Sequence, residues 1–164
     1  MIGSGGAGKS TLARELGERT GLPVVHLDRH FWSAGWIEPQ PDAWERQVHA
    51  LSAGERWISD GNYGRTMEIR LARADTIVFL DFPRWRCIPR VYRRWWRHRK
   101  SNRPDIAEGC PDRVSSEFLV WLWRFPRDTR PGILERIERY RNGRAIVVLR
   151  SPREVRRFLE SASR

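Results

Sequence analysis

With 164 residues, 40% of them hydrophobic, and nine tryptophans, the chain can build one domain with a real core and is too apolar for disorder. No apolar run is long enough to cross a membrane as a helix. The two cysteines, Cys87 and Cys110, make neither a disulfide framework nor a zinc-type pair, so a reducing cytoplasm is the expected location. The net charge of +11 is uneven: "RWRCIPRVYRRWWRHRKSNR" (84–103) holds nine of the 31 basic residues and no acid, a density that points to a polyanion or a multiply phosphorylated ligand.

In chain order, the first feature is "GSGGAGKS", Gly3 to Ser10, which fits the phosphate-loop pattern G-x-x-x-x-G-K-[ST] at every fixed position. In such a loop Gly3, Ser4, Gly5, Gly6, Ala7 and Gly8 bring backbone N–H groups onto one anion. Lys9 is then expected to reach the β- and γ-phosphates of ATP, and the Ser10 hydroxyl to hold Mg²⁺. "KSTLARELGERTG" reads as the following helix, with Leu12, Ala13 and Leu16 at helical spacing and Gly21 as its stop. Its first turn, Lys9 to Thr11, would face the phosphates, where the helix dipole favours negative charge. Only Met1 and Ile2 precede the loop, whereas a buried strand takes about five residues. The first strand is therefore expected to be truncated.

Further on, "PVVHL" (23–27) predicts a strand, 41–53 a helix with Asp42 and Glu45 spaced as a capping box, and "RWIS" (56–59) a strand leading into the loop "DGNYGR". A short helix over 66–74 precedes the plainest buried strand, "DTIVFLDF" (75–82). A basic helix starts near Pro83, with Pro89 expected to kink it or mark its start. After a loop over 100–113, helices are predicted at 115–125 and 131–141 and a last strand at 145–149. A final helix is capped by Ser151, Pro152 and Glu154. This alternation predicts a single α/β domain with a parallel sheet and ligands beyond the carboxyl ends of the strands. Three acids sit there: Asp28, Asp60 and Asp81. Any of them could serve Mg²⁺ beside Ser10. Trp32 and Trp36 suit a packed cover or a stacking surface equally, and the four histidines, showing no paired spacing, read as structural or surface residues.

The succession of the phosphate loop, "HLD", "DGNYGR", "VFLDFP", an arginine-rich helix and "VVLRSP" resembles the adenylate kinase-like P-loop kinases, and more closely the bacterial adenylate kinase-related topology-modulation proteins. The resemblance spans almost the whole chain. It implies a P-loop NTPase fold: a five-stranded parallel sheet flanked by helices, with the phosphate-loop strand central, and an arginine-bearing lid or insert over about 84–125. It also implies that Asp60-Gly61 holds Mg²⁺ through water. Arg65 lies near the place of an arginine gripping the acceptor's phosphate, and Arg90, Arg93 and Arg94 are in lid positions. Arg150, Ser151 and Pro152 match a loop packed on adenine. The chain departs from the pattern where Asn62-Tyr63-Gly64 replaces Phe-Pro. It departs again in "LDRHFWSAGW", which lacks the Thr-Gly of an AMP pocket. There Asp28 would orient or deprotonate an acceptor hydroxyl.

The expected activity is transfer of the γ-phosphoryl group of ATP·Mg²⁺ to a small-molecule or nucleotide acceptor. The alternative is a nucleic-acid-binding ATPase that grips a phosphate backbone with 84–103 and stacks bases on Trp85, Trp95 and Trp96. A third reading is a nucleotide-dependent switch without transfer.

Overall fold

The computed structural model describes residues 1–98 and 104–162, so Arg99, Lys100 and Arg103 of the basic segment lie outside the described residues. The strands are β1 (Ile2–Gly3), β2 (Val24–His26), β3 (Ile58–Asp60), β4 (Thr76–Leu80) and β5 (Ala145–Leu149). The helices are α1 (Lys9–Thr20), α2 (Leu27–Phe31), α3 (Pro41–Leu51), α4 (Met67–Arg73), α5 (Arg84–His98), α6 (Ser116–Asp128), α7 (Arg130–Arg139) and α8 (Pro152–Ser161). The chain is thus α/β, and its strand pairs are parallel: β1-β4-β5 form a three-stranded sheet and β2-β3 a second pair. Two backbone hydrogen bonds join these units. The Met1 nitrogen donates to the Ser59 carbonyl at 2.5 Å, and the Gly61 N–H donates to the Met1 carbonyl at 3.2 Å.

Alternation along β4 explains the two layers of helices. Val78 and Leu80 enter one apolar cluster with Leu12, Ala13 and Leu16 of α1, Cys87 and Val91 of α5, and Leu159 of α8. Ile77 and Phe79 enter another with Met67 and Leu71 of α4 and Ile133 and Ile137 of α7. Helix α6 spans both, giving Leu122 to the first and Phe125 to the second. A strand covered on both faces reads as a continuous apolar run, which is why "TIVFL" stands out in the sequence.

Local signals fared unevenly. Gly21 ends α1 in a left-handed turn, its N–H bonded to the Gly17 carbonyl at 2.8 Å, and Ser151 caps α8 by accepting from the Glu154 N–H at 3.3 Å. The Asp42–Glu45 box does not form: Gln40 is the N-cap, no side chain caps α3, and Pro41 opens it instead. Pro89 neither starts nor ends α5 but lies inside it, on its exposed side.

Helix α5 presses on the glycine-rich loop. Gly6 has φ +74°, and a Cβ there would lie 2.5 Å from the Cys87 carbonyl oxygen. Gly143 has the same φ with nothing within 4 Å of its would-be Cβ. Alanine at either site takes on left-handed backbone, costing roughly 1–2 kcal/mol, and only Gly6→Ala adds the collision. Gly6→Ala is expected to melt clearly below Gly143→Ala in thermal denaturation. Equal melting temperatures would mean that the loop and α5 are not packed this way.

Candidate functional site

The loop between β1 and α1 opens into a cavity of about 850 Å³ lined by Gly5 through Thr11. Helix α1 has no side-chain cap, so its leading N–H groups and the positive end of its dipole are directed at that space. Lys9 folds back over the loop: its ammonium donates to the Gly3 and Ser4 carbonyls, each at 3.0 Å. Burial lowers the Lys9 pKa, and the charges of Asp60 and Asp28 oppose that shift. Asn62 clamps the loop's first residue, accepting from the Gly3 N–H at 2.9 Å and donating to the Gly3 carbonyl at 2.8 Å. Behind it, the buried Arg70 donates to the carbonyls of Gly61 at 3.0 Å and Asn62 at 2.6 Å. Desolvation brings its pKa down to about 10.

Two of the three acids reach this cavity. Asp60 ends β3 and is buried, a strand residue where a loop residue was expected. Strand register sets it opposite His26, and His26 Nδ1 lies 2.7 Å from Asp60 Oδ2. That hydrogen bond is the main reason the His26 pKa is raised. Asp28 sits in the first turn of α2 and accepts a hydrogen bond from the Tyr63 hydroxyl at 2.6 Å. Burial, and then Asp28, push the Tyr63 phenol well above its ordinary pKa.

Asp81 is directed elsewhere. Its neighbours Leu80 and Phe82 line the cavity, whereas Asp81 takes a bidentate pair with Arg130 at 2.7 and 2.8 Å, with Arg150 3.7 Å away. The structure therefore does not bring Asp81 to Ser10 as a metal ligand. Strand alternation, which turns successive side chains to opposite faces, is the reason.

Of the expected arginines, Arg90, Arg93 and Arg94 line the cavity, together with Arg97. Arg90 Nη1 donates to the Ala7 carbonyl at 3.4 Å and its guanidinium lies 5.2 Å from the Phe82 ring centre; Arg94 pairs with Asp112 at 3.1 Å. Arg65 does not join them: it is exposed and 3.8 Å from Asp42, because the turn after Gly61 carries it away from the cavity. At the far end Pro152 lines the cavity, while Ser151 is occupied in capping α8. Arg150 points to Asp81 and uses its N–H on Glu154 at 2.8 Å.

Sequence reasoning missed Asn62, Arg70 and His26. His26, read as structural or surface, is a cavity residue because parallel register brings it to Asp60. That register was the available signal. Among the described residues, no group of three or more histidine, cysteine, aspartate or glutamate side chains forms a metal cage, and no helix is long and apolar enough to cross a membrane. Comparison with protein-family models, curated proteins and solved structures finds no match.

The raised His26 pKa has a sign. The pair with Asp60 contributes stability that is full below the ordinary histidine value of 6.5 and is lost as pH rises through the raised value. Wild-type protein should accordingly melt above His26→Gln at pH 5.5–6, and this margin should shrink as pH climbs past neutrality. A margin constant from pH 5.5 to 9 would show that the pair carries no ionic stabilisation.

Proposed function

We propose that the protein is an ATP- and Mg²⁺-dependent kinase that transfers the γ-phosphoryl group to a small-molecule or nucleotide acceptor. We further propose a P-loop NTPase fold with the five-stranded order β2-β3-β1-β4-β5. The two hydrogen bonds between Met1 and the end of β3, one to the Ser59 carbonyl and one from the Gly61 N–H, support that order, as does the pairing of β1 with β4. The observation that carries the kinase reading is convergence. The half-buried Lys9, the uncapped start of α1, the carboxylates of Asp28 and Asp60, and Arg90, Arg93 and Arg94 all meet around one cavity.

In this reading the loop amides and α1 dipole hold the phosphates, and Lys9 exchanges its two carbonyl partners for phosphate oxygens. The arginines of α5 meet the charge that spreads over the phosphoryl oxygens in transfer. The donor set fits Mg²⁺: the Ser10 hydroxyl and the Asp60 carboxylate are hard oxygen donors lining the same space. Mg²⁺ needs only one or two carboxylates beside phosphates and water. When bound, the ion neutralises phosphate charge. His26 fixes the orientation of Asp60 for that task.

A nucleic-acid-binding ATPase is favoured by one observation: Trp85 and Trp96 on the outer side of α5 are 66% and 62% exposed. Four arginines of the same helix line the cavity instead, and Arg90 among them reaches the glycine-rich loop, which favours the kinase. Binding through ~6–10 backbone phosphates would lose roughly 10³–10⁵ in affinity between 50 and 200 mM salt. ATP-analogue binding should fall far less steeply.

Lys9→Met should cut ATP turnover on the order of 10²–10³-fold, the scale for removing one charge-stabilising donor. In Mg²⁺ titrations of activity, Asp60→Asn should raise the metal requirement and Asp81→Asn should not. Unchanged turnover in Lys9→Met would end the kinase reading, and a metal shift confined to Asp81→Asn would reverse the assignment.

A further inference from the structure

Resting on the kinase reading, the geometry points to the acceptor: we propose that the end of the cavity built by Asp28, Trp32, Trp36 and Asp105 takes a ring-bearing alcohol that carries no phosphate.

Charge is the first argument. Asp28 and Asp105 line this end and both act on His26 electrostatically, beside Asp60, which the kinase reading gives to Mg²⁺. Of the α5 arginines, Arg90 is bonded to Ala7 of the glycine-rich loop, and Arg94 pairs with Asp112 and acts on Lys9 by charge. Arg65, expected to grip an acceptor phosphate, is outside the cavity. Arg113 does line it, with its guanidinium over the Trp36 ring at 4.9 Å. A dianionic phosphate placed beside Asp28 and Asp105 would meet like charge, whereas hydroxyl groups donate to carboxylates.

The aromatic wall is the second. Trp32 and Trp36 both line the cavity, their rings 5.2 Å apart and edge-on, and Phe31 backs Trp32 at 4.8 Å. Trp36 is held at φ +65°, a strained backbone for a bulky side chain, and its indole N–H is buried with no hydrogen-bond partner. A strained residue with an unsatisfied donor in a cavity wall costs stability, and such costs gather at ligand clamps. Trp32 and Trp36 together give the wall aromatic surface against which a ring can pack.

Asp28 completes the chemistry. Tyr63, itself at φ +40°, donates to Asp28 Oδ1 and so orients the carboxylate from outside the cavity lining. Tyr63 is a positioning residue. The acceptor hydroxyl oxygen forms a bond to the γ-phosphorus as the bond from that phosphorus to the β,γ-bridging oxygen breaks. ADP leaves with that electron pair, and the hydroxyl proton passes to Asp28.

Nucleosides and sugars both present a hydroxylated ring. The test is calorimetric binding of adenosine, uridine, glucose and myo-inositol against AMP, UMP, glucose 6-phosphate and inositol 1-phosphate. Each titration is done with Mg²⁺ and a non-hydrolysable ATP analogue present. At least one unphosphorylated compound should bind more tightly than its phosphate, and which one does so separates a nucleoside from a sugar acceptor. Trp36→Gly, which accepts the left-handed backbone without strain, should weaken that compound about tenfold, within the range for loss of one stacking partner. It should leave affinity for the ATP analogue unchanged. Asp28→Asn should keep the binding and lower transfer by roughly 10²–10⁴. A tighter-binding phosphate, or no binding by the whole panel while the ATP analogue binds, overturns the proposal. Failure of the ATP analogue itself overturns the kinase reading and this inference with it.

Discussion

A lysine ammonium partly withdrawn from water must be compensated, and in this chain the compensation organises the site. Lys9 begins α1, so its position is fixed by the helix that carries Leu12, Ala13 and Leu16 into the core. Its charge rests on the Gly3 and Ser4 carbonyls and is favoured by Asp60 and Asp28. Each of those partners is held in turn. Asn62 clamps Gly3, Arg70 holds the backbone of Gly61 and Asn62, His26 bonds Asp60, and Tyr63 bonds Asp28. Removing one member leaves buried polar groups without partners, which is costlier than never having built the pair. The network therefore ties β1, β3 and the turn after β3 into one unit.

Helix α5 shows how one sequence feature can carry two functions. Read as composition, 84–103 is a block of positive charge. Folded, its described part divides by helical spacing. Cys87 and Val91 are fully buried, Arg90, Arg94 and Arg97 turn to the cavity, and Trp85, Tyr92 and Trp96 face outward. Burial of Cys87 and Val91 fixes the helix to the glycine-rich loop, with Gly6 as the point of closest approach. The arginines are thus placed by packing and are not free to wander as a charged tail would.

How legible this was depended on whether a feature is local. β4 was plain because both of its faces are buried, and the ends of α1 and α8 were plain because Gly21 and Ser151 act within one turn. The loop and Lys9 were picked out by the spacing of one motif, and Asp28 and Asp60 by their places at the ends of predicted strands. Arg70 was not, since among 31 basic residues nothing in the sequence separates a buried arginine from a solvated one. Arg65, five residues earlier, drew the assignment that geometry gives to neither: it is outside, and Arg70 supports the loop without touching the cavity. Asp81 stayed an open candidate because its place in an apolar run gives no sign of which face it takes. His26 became visible only through its register with Asp60.

The distribution of charge around the cavity is then a consequence of topology. Parallel pairing puts the ends of β2 and β3 side by side, so residues there can face one another across a strand spacing; His26 and Asp60 do so. The chain after β4 leads directly into α5, which brings Arg90 onto the loop. Acids gather where β2 and β3 end, and cations gather where α1 begins and α5 passes. A ligand with one strongly anionic end and one neutral, hydroxylated end matches that division without any rearrangement of the sheet. A ligand anionic at both ends does not. On the proposed reading, selectivity of this kind would be set first by which strands are adjacent, and the tryptophans would refine it.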